Sequence, residues 1–310
     1  MSWILLASLG QFLMAIVAVI DKYIVSDERA MPRPFVYAFY STLLGGTWLA
    51  LFAFNAVPGL SIPGLPHISN IEAPTLTVVA MSFLAGYTIF MGLVSLFDAL
   101  RHTDASTVMP IVGSVSAMTA FALTYLFLDA QLSSNFIYGI LLLSAGTLLV
   151  TQTLPKFDTV LHVLHAGVFF GLHAITMKGL FLETSFDNGL FWSRVGFVLF
   201  GLSLLLVPSY LKKITGQTKK TNKSTGSLML LGKLLAGVAG FMLLKAIDIG
   251  EVSVVQALDG LKFAFILILG TLFAHWLPDS ATDKDTRPAT VFRKILFIIV
   301  IIIGFFLLFT

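Results

Sequence analysis

Apolar residues run along this chain in long blocks, each about the length of a membrane crossing and set apart by short polar breaks. Ten blocks are read, near residues 3–25, 35–57, 75–98, 104–128, 135–153, 160–182, 189–210, 228–247, 252–277 and 293–309. A bilayer core takes roughly 20 apolar residues of helix to cross, so each block predicts one transmembrane helix. The breaks carry turn formers and charge: "DERAMPRP", "PGLSIPGLPHISNIEAP", "TLPKFD", "KKITGQTKKTNKSTGS" and "PDSATDKDTRP". The Lys-rich tract near 211–227 reads as a flexible cytoplasmic linker between two halves. The opening "MSWILLASLG" lacks a basic leader region and is read as a retained helix.

Composition agrees with the blocks. The chain is 57% hydrophobic and only 11% charged over 310 residues, with a mean hydropathy of +0.94; soluble domains average about 25% charged residues. Ten spans leave no room for a soluble catalytic domain. Without cysteine there are no disulfides, thiolate metal sites or cysteine nucleophiles. The net charge of +3 implies no nucleic-acid partner, because the basic residues flank the membrane blocks. Fourteen of the 19 Lys and Arg fall in the odd-numbered breaks, and the other five are Lys178, Arg194, Lys233, Lys245 and Lys262. The positive-inside rule then places the odd breaks in the cytoplasm of a multi-pass cell-membrane protein, with both termini outside.

The chain also resembles itself. Sliding it by 147 residues (245 − 98) lays "DALRHTDASTVMPIVG" on "KAIDIGEVSVVQALDG", matching Ala99 to Ala246, Ser106 to Ser253, Val108 to Val255 and Gly113 to Gly260. Sliding it by 156 (178 − 22) matches Lys22 to Lys178. The predicted fold is an all-α membrane protein of ten transmembrane helices in two five-helix repeats, 1–153 and 154–310. Five spans per repeat make the second copy inverted, with a substrate site at the interface of the halves.

The stretch "ALRHTDASTVMPIVGSVSAMTAFALTYLFLDAQLS" followed by "YGILLLSAGTLLV" resembles the EamA-type signature of the drug/metabolite transporter superfamily. "AIDIGEVSVVQALDG" and "IIIGFFLLF" repeat it more weakly, and "VIDKYIVS" resembles the family's first helix. Asp129 departs from the usual Glu, and "AHWLPDS" replaces the acidic motif in the second half. The resemblance implies ten helices around a central cavity, alternating access and transport of a small metabolite.

Charges inside the blocks nominate the site. An intramembrane charge costs roughly 2.5–3.5 kcal/mol on insertion scales and normally faces a partner or a cavity. Asp259 and Lys262, three apart, share a helix face and form either a self-neutralising pair or part of a site. Arg194, beside Trp192, needs an anion: Asp259, Asp21 or a substrate oxyanion; the alternative is snorkelling to the outer interface. Gln256, His173, Tyr40 and Tyr87 complete the candidate substrate-binding set. Asp21 and Lys22 read as closing the cytoplasmic end of the first helix, and Lys233 as interior or snorkelling.

Asp98 with Arg101, and Lys245 with Asp248, repeat one spacing with signs exchanged, as a gate or as plain interfacial pairs. His162, His165 and His173 share a block, but no acid clusters with them, so neither metal nor cofactor is expected. Pro110 interrupts the fourth block, and "LLGGTW", "LAGY" and "LAGVAGF" permit close helix contact.

The function these features imply is a secondary transporter, an exporter or exchanger, for a small polar metabolite such as an amino acid, sugar phosphate or nucleotide-linked sugar. Interior basic groups rival acidic ones, which leans to anionic or zwitterionic solutes. No phosphate-binding loop suggests a primary pump. The alternatives are a non-transporting membrane partner or lipid-carrier flippase subunit, and an intramembrane enzyme. The partners implied are the small-molecule substrate and the bilayer, with a homodimer left open.

Overall fold

Lipid offers no hydrogen bonds, so an apolar block has to satisfy its backbone within itself, and helix does that. Every regular element among the described residues is a helix. The computed structural model describes residues 2–26, 33–54, 65–127, 157–219, 221–250, 258–272 and 288–307, with isolated positions between 137 and 146 and at Val252 and Val255. The helices are α1 Ser2–Ser26, α2 Pro34–Gly45, α3 Ala50–Phe54, α4 Leu76–His102, α5 Ala105–Phe127, α6 Phe157–Glu183, α7 Phe186–Leu204, α8 Pro208–Thr218, α9 Lys223–Ile249, α10 Asp259–Leu272 and α11 Pro288–Leu307. Among the described residues, six spans are long and apolar enough to cross a membrane, or up to seven if α7 and α8 count as one broken span. The predicted segment 135–153, Asp129 and "AHWLPDS" lie outside the described residues, as does most of the loop 251–257.

Two predicted segments differ from simple rods, and the predicted linker differs from a coil. The second, 35–57, is broken at Gly45-Gly46, where a 3₁₀ turn over Gly46–Leu49 separates α2 from α3. The seventh, 189–210, bends by 99° between α7 and α8. Pro208 causes the bend: it has no N–H to continue the ladder and forces the preceding Val207 into extended backbone, φ −90° and ψ 112°. The Lys-rich tract read as a linker is instead mostly helical, with α8 running to Thr218 and α9 starting at Lys223 under an Asn222 cap.

α5 is the central helix. Its apolar stretch is 72% buried, against 22% for α9. Glycine lets its neighbours approach. A Cβ on Gly171 would stand 2.8 Å from Ser116 O, and one on Gly167 2.9 Å from Val112 O, so α6 lies directly on α5. A Cβ on Gly196 would stand 2.2 Å from Ser82 O, which puts the backbones of α7 and α4 in contact. Small residues spaced four apart are the usual means of close helix contact in lipid. Outward-facing Leu76, Leu206, Phe127 and Phe292 stay largely exposed, as a lipid-facing surface requires.

Helix direction follows from the contacts. His173 meets Thr88, His165 meets Ser95 and His162 meets Asp98, so numbers fall along α6 as they rise along α4. The two helices are antiparallel. Asp21 meets Lys233 while a Cβ on Gly250 would meet Trp3, so α1 and α9 are antiparallel as well.

At the end of α1, Lys22 donates to Leu100 O (2.6 Å) and Thr103 O (3.0 Å), the last carbonyls of α4. Near the end of α6, Lys178 donates to Ile247 O (3.0 Å) and Asp248 O (2.8 Å), the last carbonyls of α9. Each ammonium sits where the helix dipole is negative, and the two sites lie at opposite ends of the bundle.

Filling the α4–α7 contact tests the packing. Gly196→Val forces the backbones apart and is expected to cost roughly 1–3 kcal/mol or more. A thermal melt of the detergent-purified protein should fall by several degrees, and an unchanged melt would show that the two helices do not touch there.

Candidate functional site

A cavity of about 260 Å³ opens between the helices, lined by α1, α2, α4, α5, α6, α7, α9 and Lys262 of α10. Both portions of the chain, 1–153 and 154–310, contribute walls. Most of the lining is apolar; the charged groups are Asp21, Arg194, Lys233 and Lys262, and the neutral polar ones are Gln11, Ser41 and His173.

At the Lys22 end, Asp21 is buried and takes two donors. Tyr37 donates its hydroxyl to Oδ1, and Lys233 Nζ lies 2.8 Å from the same oxygen. Lys233 also sits 4.4 Å from the Tyr37 ring centroid and 5.2 Å from that of Phe97. The carboxylate, ammonium and two ring faces make a closed electrostatic unit that joins α1, α2, α4 and α9. Asp21 is therefore more than an end-capping residue: its partner lies far along the chain, and both groups face the cavity. Lys233 is interior, not snorkelling.

Arg194 stands on α7 with its guanidinium carbon 4.7 Å from the Phe197 ring centroid. Among the described residues it makes no ion pair, and its Nε has no hydrogen-bond partner. The "LLGGTW" stretch of α2 and the 3₁₀ turn lies beside it. A Cβ on Gly46 would stand 2.2 Å from a Val198 methyl, and one on Gly45 3.9 Å from Arg194 Nη1. A side chain at either glycine would push α2 off α7 and away from the arginine. Trp48 follows in the 3₁₀ turn, its indole lying over Gly237 so that a Cβ there would stand 1.6 Å from Cε2. Trp48 also lines the cavity.

His173 lines the cavity with Nδ1 3.1 Å from Ala85 O. A carbonyl only accepts, so Nδ1 carries the proton and a neutral ring keeps Nε2 as its acceptor. Ser41 uses its hydroxyl on Tyr37 O at 2.8 Å. Gln11 Oε1 is buried and lacks a partner among the described residues.

The remaining sequence candidates fall elsewhere. Tyr40 bonds Thr218 Oγ1 at 2.5 Å, tying α2 to α8, and Tyr87 packs against Phe169 and Phe200; neither lines the cavity. Asp98 faces His162 Nδ1 at 3.5 Å. Arg101 is exposed and makes no ion pair among the described residues, so the predicted Asp98–Arg101 pair is not formed. Lys245 and Asp248 do pair, at 2.9 Å, and Lys245 also caps the Phe186 ring at 4.0 Å. Gln256 lies outside the described residues, and of Asp259 only the backbone, at the start of α10, is described.

Sequence reasoning passed over Trp48 and did not join Lys233 to Asp21. The first had a signal in the Gly-Gly-Thr-Trp break. The second had none, since 212 residues separate the partners.

No family model matches the chain, and no curated protein matches it. Its fold does recur: 28 chains of solved structures match. One, described only as "Crystal structure of protein", superposes with a TM-score of 0.60 over 99% of this chain and 96% of that chain, at 14% identity. A likeness at that identity shows the fold alone.

A double-mutant cycle tests the Asp21–Lys233 unit. Asp21→Asn or Lys233→Met alone leaves a buried charge without its partner and is expected to cost about 3–5 kcal/mol. The double variant should recover part of that loss. Purely additive losses in thermal melts would show that the two groups do not interact.

Proposed function

We propose that this chain is a secondary transporter, an exporter or exchanger that moves a small anionic or zwitterionic metabolite by alternating access. The observation that carries the reading is the cavity: a chamber bearing charge, inside a bundle of membrane-length helices, walled by both portions of the chain. Three cationic side chains and one carboxylate are among its described lining residues, and that carboxylate is already engaged by Lys233. Arg194, which makes no ion pair among the described residues and whose Nε lacks a hydrogen-bond partner, favours an anionic group on the ligand, and we assign it to that group.

The two lysine clamps support an inverted duplication. Lys22 and Lys178 are related by the 156-residue shift, and their acceptors Leu100 O and Ile247 O by the 147-residue shift (247 − 100). Each clamp fastens one helix pair at one end of the bundle. In an alternating-access cycle the two ends open in turn, and a matched clamp at each end suits that motion. On the positive-inside reading the Lys22 end is cytoplasmic.

The absence of cysteine from the sequence makes single-cysteine labelling free of background. Ser41→Cys and Ala236→Cys place the probe in the cavity wall. A membrane-impermeant maleimide is expected to label each from both faces when applied to right-side-out and inverted vesicles. Labelling from one face only, in both variants, would rule out alternating access.

A further inference from the structure

We propose that the ligand of the cavity is a small amphipathic organic anion, one carboxylate or phosphate group carried on an apolar, planar body. The inference rests on the transporter reading and narrows its substrate class, replacing the hydrophilic metabolites that the sequence suggested.

The anionic group follows from Arg194. A guanidinium keeps its charge under all ordinary conditions, and inside a bundle that charge needs a counter-ion. The one carboxylate among the described lining residues, Asp21, already receives Lys233 at 2.8 Å and the Tyr37 hydroxyl. Arg194 has no ion-pair partner among the described residues, its Nε is unpartnered, and Phe197 covers one face of the group. The counter-charge therefore comes with the ligand. Carboxylate and phosphate both match the planar fork of donors.

The apolar body follows from the rest of the wall. Trp48, Phe170, Phe197 and Phe241 supply ring surface, and aliphatic side chains fill most of what remains. Trp48 is held against Gly237, so its indole is presented as a fixed plate on which a planar ring can stack. Neutral hydrogen-bonding capacity is limited: Ser41 is spent on Tyr37 O and His173 Nδ1 on Ala85 O, which leaves chiefly the Gln11 amide and His173 Nε2.

A sugar brings several hydroxyls, and each one left unpaired after losing its water weakens binding. Size favours a small ligand as well. At about 260 Å³ the cavity is below the roughly 300–1,000 Å³ of drug-sized sites, which suits a single ring with one anionic group better than a nucleotide-linked sugar.

The test is equilibrium binding to the full chain in detergent, with four probes: indole-3-acetate, its neutral amide indole-3-acetamide, phenyl phosphate and glucose 6-phosphate. The acid is expected to bind about tenfold or more tightly than the amide, the loss typical of removing a hydrogen bond to a charged group. At least one aromatic anion should also exceed glucose 6-phosphate by a similar factor. Which of the two binds better identifies the oxyanion. Arg194→Gln should erase the preference of acid over amide, and Arg194→Lys should retain part of it.

Equal affinity for acid and amide overturns the inference, as does failure of both aromatic anions to bind, or tighter binding of glucose 6-phosphate. A folded Arg194→Gln protein that keeps the full acid preference overturns it too. The acid–amide comparison needs only the unaltered protein, so a variant that fails to fold does not remove the test. Anion binding without two-sided cysteine labelling would sink the transport cycle and leave the ligand class standing, and the converse result would do the opposite.

Discussion

Hydrocarbon supplies neither counter-ions nor hydrogen bonds, so every charged side chain within this bundle has to be answered by the protein itself or by something the protein binds. Lys22, among the most deeply buried large side chains of the molecule, is answered by the exposed carbonyls at the end of α4. Lys178 is answered in the same way by α9. Lys233 and Asp21 answer each other, with Tyr37 and Phe97 completing the shell. These contacts join helices that are distant in sequence, which is why α1, α2, α4 and α9 meet where they do. Arg194 stands apart, supported by a ring but given no anion among the described residues. In a fold governed by this constraint, that exception is the reason a ligand is proposed beside Arg194.

Packing then decides how much room the cavity has. Lipid tails are as apolar as leucine, so helices associate here through close fit rather than water exclusion. Gly86 and Gly196 bring α4 and α7 into backbone contact, and Gly167 with Gly171 does the same for α5 and α6. On the side of α2 and α9, an indole stands between the helices instead: Trp48 rests on Gly237. The tight contacts leave little space near themselves, whereas the Trp48 side holds an aromatic wall beside the cavity. The same Gly45-Gly46 step that allows α2 to press on α7 also breaks the helix into a 3₁₀ turn, and that turn aims the tryptophan.

Much of the architecture was legible because membrane helices carry their signal locally. α1, α4, α5, α6 and α9 lie close to the apolar blocks that predict them, since block length and bilayer thickness are matched within one segment. The Pro208 bend has an evident cause in sequence, yet the apolar run continues through it and masks it. The pairing of Lys22 with Lys178 emerged from aligning the chain on itself, and both turn out to cap a helix end. The predicted Asp98–Arg101 pair is not formed, and Asp98 instead has His162 of α6 beside it, a neighbour that helical spacing within α4 cannot reveal.

By itself, the sequence determined that this protein is helical and lies in a membrane, roughly where α1, α4, α5, α6 and α9 run, and that a handful of charges sit inside its apolar blocks. Those properties depend on residues near one another in the chain: backbone satisfaction, apolar length and local turn chemistry. Only the tertiary structure decided which charges neutralise one another. Asp21 and Lys233 are 212 residues apart, and Arg194 lies 146 residues (194 − 48) from Trp48, with which it shares a cavity wall. Electrostatic pairing and cavity shape depend on distance in space, which the chain sets by folding and does not carry in its linear order.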